Sequence, residues 1–141
     1  MRNVLPKVKR IINMSLKQAK YYGDDVVRIE HIVISLINDY NNNAINTLLK
    51  MGVDVDKLHK KIEKKLMMEK DDFTQVKTTS KDIPLDDITE NILKGAEKEC
   101  DSLNDSYLDT QHILLASIKV KSDMSNIFKN MKISYRKCKS N

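Results

Sequence analysis

VRIEHIVISLI occupies residues 27–37, and LDTQHILLASI occupies residues 108–118. Each has a short polar lead-in, then a histidine, then a nearly unbroken apolar run. Ile32, Val33, Ile34, Leu36 and Ile37 cover most of a helical circumference in the first stretch. Ile113, Leu114, Leu115 and Ile118 do so in the second. A helix that is apolar almost all round is a buried one. Each stretch therefore predicts the central helix of its own unit, and the offset between the two, from 27 to 108, is 81 residues.

The same offset maps an earlier helix onto a later one. Val8, Ile11, Ile12, Ser15, Ala19 and Tyr22 fall on Thr89, Ile92, Leu93, Ala96, Cys100 and Leu103. Steps of three and four residues place each set on one helix face. Pro6 suits a first helical turn. Gly23 and Asn104 stand where a left-handed residue ends each helix. Thr110 or Asp109 can cap the second central helix, whereas Arg28-Ile29 offers a poorer cap.

A third helix follows in each half, lined by Ala44, Ile45, Leu48 and Leu49, then by Ile127, Phe128 and Met131. MGVD at 51–54 and MKIS at 131–134 come next, now offset by 80. Asp54 and Ser134 are N-caps for a fourth helix. It uses Val55, Leu58, Ile62 and Leu66 in the first half, and only Tyr135 and Cys138 in the second. Residues 70–84, KDDFTQVKTTSKDIP, lack periodicity and predict an exposed linker. The expectation is an all-α fold across residues 1–141: a tandem, pseudo-twofold repeat of two four-helix units. Repeat one covers 4–69 and repeat two covers 85–138.

Composition agrees with helices. Three Gly, two Pro and no Trp leave few turn residues for a many-stranded sheet. No apolar run reaches the ~18 residues of a membrane span, and MRNVLPKVKR lacks the apolar core of a signal peptide. Cys100 and Cys138 lie in no metal-like spacing and suit two free thiols in a reducing cytoplasm. The net charge of +5 is unevenly spread. Residues 1–22 hold six basic residues and no acid, whereas residues 86–109 hold eight acids against Lys94 and Lys98. Opposed charge blocks fit protein partners at least as well as nucleic acid.

Catalytic signals are missing. Gly occurs only at 23, 52 and 95, so a phosphate-cradling glycine loop cannot be built. His31, His59 and His112 make no zinc spacing, and nothing sets a base beside a nucleophile. No cofactor, no metal and no enzyme activity are expected. His31 and His112 recur at equivalent positions and are read as structural, hydrogen-bonding across the repeat interface. Cys100 is read as a small core residue. The lysines of KLHKKIEKKLMMEK are read as a solvated face, and Met67 and Met68 as the end of a core stripe rather than a sticky partner surface.

LNDSYLDTQHILLASI and GDDVVRIEHIVISLI resemble the repeated motif of the Clp ATPase N-terminal domain, a Gly-His-x-x-hydrophobic-Gly-Thr-Glu-His-hydrophobic run. LPKVKRIINMSLKQA and MGVDVDKLHKKIE resemble other parts of it. The resemblance spans about residues 4–138 and is nearest to the C-type Clp unfoldases. It implies a double four-helix repeat that docks adaptors and substrates above an ATPase ring and has no catalysis of its own. In some C-type members it implies phosphoarginine binding at two equivalent sites. There the motif Glu holds the guanidinium, and a Thr at the start of the preceding long helix helps hold the phosphate.

Carried onto this chain, the first motif Glu is Glu30 and the second is Gln111, a neutral residue unable to form a charged bidentate pair. The helix-start Thr corresponds to Leu5 in repeat one and Asp86 in repeat two. Asp86 sets a negative charge where phosphate would sit, so the second site is expected to be degenerate. The first keeps Glu30, with Lys7, Lys9 and Arg10 near a helix N-terminus that favours anions. Arg28 either adds to that site or pairs with Glu30. The plainer reading of Glu30 is a carboxylate favoured by its own helix's first turn.

The expected partners are Clp adaptor or substrate proteins, or Clp ATPase and peptidase subunits, with neither nucleic acid nor membrane. The ATPase modules of the resembled proteins are not in this sequence. The chain is therefore either a fragment or a stand-alone copy; Met1 and the short last segment, RKCKSN, favour a stand-alone or divergent protein, acting as a decoy, as an adaptor or as a regulator that competes for adaptors. A basic helical nucleic-acid binder is the alternative from another class; the acidic 86–109 block and the scarcity of stacking aromatics oppose it.

Overall fold

Alternating caps and apolar stripes produce two successions of four helices in the computed structural model, which describes residues 3–68 and 83–141. Repeat one contains α1 (Pro6–Tyr21), α2 (Ile29–Asp39), α3 (Asn43–Lys50) and α4 (Val55–Met68). Repeat two contains α5 (Asp87–Ser102), α6 (Thr110–Lys119), α7 (Asp123–Asn130) and α8 (Tyr135–Ser140). The two-residue strands β1 (Asn3–Val4) and β2 (Tyr107–Leu108) precede α1 and α6. The expected all-α tandem repeat is the fold found.

The helix ends follow local chemistry. α1 has Pro6 in its first turn and no side-chain cap from Leu5. At the equivalent end of α5, the Asp86 carboxylate accepts from the Thr89 N–H at 2.8 Å. Arg28 gives α2 no cap, while Asp109 accepts from the Thr110 N–H at 2.6 Å. Asp54 and Ser134 cap α4 and α8 as expected, accepting from the N–H groups of Lys57 at 3.0 Å and Lys137 at 3.2 Å. Gly23 (φ 71°) and Asn104 (φ 57°) make the left-handed stops of α1 and α5.

α2 and α6 form the centre. Every residue from Ile29 to Ile37 is buried, as is each from His112 to Ser117. Val8, Ile11, Ser15 and Ala19 of α1 cover one, and Thr89, Ile92, Ala96 and Cys100 of α5 cover the other. Burying one such Leu or Ile side chain contributes roughly 1.5–3 kcal/mol, so these two helices carry much of the core. α3 packs on α6 and α4 packs on α7, so each repeat leans on the other.

The strands were not foreseen. β1 pairs in parallel with β2, matching Val4 to Leu108. Val27 forms an isolated parallel bridge with Leu85. Under the 81-residue offset Val4 becomes Leu85 and Val27 becomes Leu108. The two pairings are one contact made twice about the pseudo-twofold axis, and each joins the start of one repeat to the middle of the other.

Four expectations change. The end of the predicted linker is anchored: Ile83 is buried in the core, and the Pro84 carbonyl accepts from the Val27 N–H at 2.8 Å. Residues 70–82 of that linker lie outside the described residues. Leu49 is exposed, because α3 turns only Ala44, Ile45 and Leu48 inward. Met67 and Met68 are 59% and 74% exposed, since the stripe of α4 ends at Leu66. Finally, His31 and His112 bond within their own repeats, through the loop that leads into each central helix.

Candidate functional site

Each histidine sits three residues after the residue preceding its helix, so its ring folds back over the helix start. His31 Nδ1 accepts from the Arg28 N–H, and His112 Nδ1 from the Asp109 N–H, both at 2.9 Å. An Nδ1 that accepts leaves the proton on Nε2. His31 Nε2–H therefore donates to Asp24 at 2.7 Å, and His112 Nε2–H to Asp105 at 2.7 Å. Backbone donors and loop carboxylates consume both ring nitrogens. These histidines fasten the loop to the helix and are not free for a ligand.

The strand crossing rearranges the expected sites. Leu5 N–H donates to the Leu108 carbonyl at 3.1 Å, and Asp86 N–H donates to the Val27 carbonyl at 3.0 Å. The start of α1 thus lies beside the start of α6, which carries Gln111. The start of α5 lies beside the start of α2, which carries Arg28 and Glu30. Leu5 and Glu30 therefore belong to different helix-start junctions, as do Asp86 and Gln111. Within-repeat reasoning paired them wrongly, because short parallel strands exchange the neighbours of each helix start.

The basic group near Leu5 is also separated from Glu30. Lys7 Nζ lies 3.2 Å and the Arg10 guanidinium 2.9 Å from the Asp39 carboxylate at the last residue of α2. Glu30 is near the first residue of α2, roughly 13 Å away at 1.5 Å rise per residue. Burial of Asp39 opposes its ionisation, but hydrogen bonds from Asn42, Lys7 and Arg10 outweigh that and hold its pKa below the ordinary value. Lys9 is exposed on the outer face of α1.

Glu30 is 4% exposed, and Lys65 of α4 donates to its carboxylate at 2.5 Å. Lys65 also approaches Asp123 of α7 at 3.6 Å, so it bridges the two repeats. Nothing in the helical pattern of KKIEKKL singles out Lys65 from its neighbours. Gln111, the equivalent of Glu30, has no such partner: its Oε1 is buried without a hydrogen bond among the described residues. It lines a cleft of about 520 Å³ with Asn43, Leu49, Leu114 and Lys139. At the start of α5, the Asp86 carboxylate is used as a helix cap, and Asp87 and Glu90 add negative charge in the same turn.

A protein-family model for the Clp repeat N-terminal domain matches residues 4–131. The chain belongs to the Clp repeat N-terminal domain family. It is 27% identical over 104 residues to the chaperone protein ClpB of Bacillus anthracis, across 74% of this chain. It spans only 12% of the length of that ClpB. The crystal structure of the Hsp104 N-terminal domain from Candida albicans superposes with a TM-score of 0.79 at 18% identity, over 99% of this chain and 88% of that one. The N-terminal domain of ClpD from Arabidopsis thaliana gives 0.72 at 21% identity, over 98% and 90%. Among the described residues this Clp N-domain holds no group of three or more His, Cys, Asp or Glu side chains suited to a metal ion. No described helix is long and apolar enough to cross a membrane.

Cys100 and Cys138 are both buried and unbridged. Cys100 is the small core residue expected, and its thiol points to the carbonyls of Asp105 at 3.4 Å and Tyr107 at 3.2 Å. Burial pushes the Cys138 thiol up to about 11. A thiol in that state is a poor nucleophile at neutral pH.

Proposed function

We propose that this Clp N-domain is a non-catalytic docking module that binds adaptor or substrate proteins of a Clp unfoldase–protease system in the cytoplasm. The observation that carries the reading is the family match over residues 4–131, on a chain whose recurring polar groups fasten loops rather than form a reactive centre. A stand-alone regulator that competes with full-length Clp subunits for adaptors is a form of the same activity.

Docking through a phosphoarginine pocket is the less favoured form. Glu30 already holds Lys65, Gln111 is neutral, and Asp86, Asp87 and Glu90 crowd the start of α5 with negative charge. The charge arrangement supports recognition of protein surfaces instead.

Two measurements test this. Pull-downs with the purified chain should recover Clp subunits, adaptors or unfolded clients; recovery of none would remove the docking reading. Titration calorimetry with free phosphoarginine should give no heat. Saturable heat lost in Glu30→Ala would restore the tag pocket in repeat one.

A further inference from the structure

The face built by α3, α4, α7 and α8 carries three clefts in a row. The middle one, about 700 Å³, lies between the α3–α4 turn and the α7–α8 turn. Its lining pairs Met51 with Met131, Gly52 with Lys132, and Lys57 with Lys137, each related by the 80-residue offset. It therefore straddles the pseudo-twofold axis. It shares Lys50 and Asn141 with the cleft of Gln111 on one side. On the other it shares Lys61 and Asn130 with a groove of about 610 Å³ between α4 and α7, where Met68 and Ile127 are apolar lining. The three form one trough.

Lys50, Lys57, Lys61, Lys132 and Lys137 surround the middle cleft, and all five are exposed. Among the described residues none of these ammonium groups is in a salt bridge, whereas Lys7, Arg10, Lys65 and Lys119 are. Two carboxylates line the trough: Asp54 caps α4, and Asp123 lies beside Lys65. Charges of one sign gathered in a cleft concentrate the field there and attract the opposite sign. The lining between them is apolar, from Met51, Val53 and Met131, and Met side chains adapt to varied partners.

We propose that this trough binds an acidic, extended polypeptide segment with apolar side chains interspersed among its carboxylates. Carboxylates meet the lysine rim, and apolar side chains meet the methionine lining. A nucleic-acid strand meets the charge equally well, but no aromatic ring lines any of the three clefts. Unstructured nucleic acid draws about 1–3 kcal/mol per base from such stacking. The inference rests on the docking reading above and assigns it a face and a partner chemistry.

The test is fluorescence anisotropy with a labelled peptide of alternating glutamate and leucine. The full chain is compared with Lys57→Glu/Lys137→Glu and with Lys17→Glu/Lys20→Glu, which makes the same charge change at exposed positions of α1. Far-UV circular dichroism checks that both doubles keep their helices. The trough double should weaken binding about tenfold or more, and the α1 double about twofold or less, as expected for paired contact charges against long-range steering. Equal weakening by both doubles, or no saturable binding, overturns the proposal. So does a thymidine oligonucleotide that displaces the peptide and loses its own binding in the trough double, which would make this a nucleic-acid face. Pull-downs with the same variants separate the two readings. Recovery of clients undiminished in the trough double overturns the trough and leaves docking intact. Peptide binding that obeys the expectation while no client is recovered upholds the trough and removes docking.

Discussion

The two repeats use one fastening and part at the residue beside it. In both, a histidine accepts a hydrogen bond from a backbone N–H at Nδ1 and donates its Nε2–H to a carboxylate seven residues earlier, with the same distances of 2.9 and 2.7 Å. At the residue just before that histidine they part. Repeat one has Glu30, buried and held by Lys65. Repeat two has Gln111, whose Oε1 has no hydrogen-bond partner among the described residues and which lines an open cleft. The fastening answers to its own loop and helix, so each repeat needs it. The neighbouring position of repeat one meets the fourth helix of its own repeat, and α4 (Val55–Met68) is longer than α8 (Tyr135–Ser140), so each copy solves a different problem.

Removing the fastening should have the largest effect. His31→Ala strands the part-buried Arg28 N–H and the Asp24 carboxylate and removes the ring that stacks on Tyr22. We expect a loss of about 3–5 kcal/mol in urea denaturation, from a cavity plus unmet hydrogen bonds. His112→Ala should lose less, about 2–3 kcal/mol, because the Asp105 side chain is 42% exposed against 16% for Asp24 and so stays in contact with water. Equal losses would show that solvent access does not distinguish the two fastenings.

The diverged position comes next. Glu30→Ala should cost about 2–3 kcal/mol, near the lower end for breaking a buried pair because Lys65 keeps some solvent contact. Gln111→Ala should stay within about 0.5 kcal/mol, because its buried Oε1 makes no hydrogen bond among the described residues that would be lost. A Glu30→Ala/Lys65→Ala cycle should return a coupling of at least ~1 kcal/mol. A coupling near zero would mean that the contact contributes nothing beyond packing.

A smaller effect checks how the repeats support one another. The Thr110 hydroxyl accepts from the Ala44 N–H at 3.1 Å, across the repeat interface. The reciprocal contact from α2 to α7 is not made this way, because Ile29 of repeat one stands at the position of Thr110. Thr110→Val should cost about 1 kcal/mol or slightly more by stranding that donor, and hydrogen exchange should speed up at Ala44. Unchanged exchange would show that the first turn of α3 is held by other contacts.

The effect that is smallest at neutral pH emerges only at alkaline pH. Tyr22 donates to Glu63 at 3.1 Å, and Tyr135 donates to Glu99 at 2.6 Å, each tying the first helix of its repeat to the fourth with the tyrosine on opposite partners. Burial, then the Glu63 charge, pushes Tyr22 up to about 12. The Glu99 hydrogen bond, then burial, pushes Tyr135 up to about 12. A raised phenol pKa stabilises the fold fully below the unfolded value near 10, and that contribution fades as pH rises from about 10 to about 12. Stability should therefore fall across this window, and Tyr22→Phe/Tyr135→Phe should flatten the fall. An unchanged slope in the double variant would assign the alkaline loss to other groups.

The helices, their caps and the doubling were legible because each depends on residues within a turn or two. Ile32 to Ile37 announce burial by composition alone, and Gly23, Asn104, Asp54 and Ser134 act on their own backbone. The His–Asp fastening was also open to view: Asp24 and Asp105 recur at the repeat offset, and only their link to the histidines went unread. The strands were not legible, since two residues are too few to show a period. Lys65 was hidden among identical lysines, and Met67 and Met68 followed a stripe that had already ended.

By itself, then, the sequence determined the helical fold class, the twofold repeat and the charged and apolar face of each helix, because short-range geometry converts residue order directly into these. Only the tertiary structure decided which helix starts meet, that Glu30 faces Lys65 rather than Lys7 and Arg10, and that five lysines from both repeats rim one cleft. Those outcomes depend on contacts between residues far apart in the chain, and two pairs of extended residues exchanged between the repeats select them.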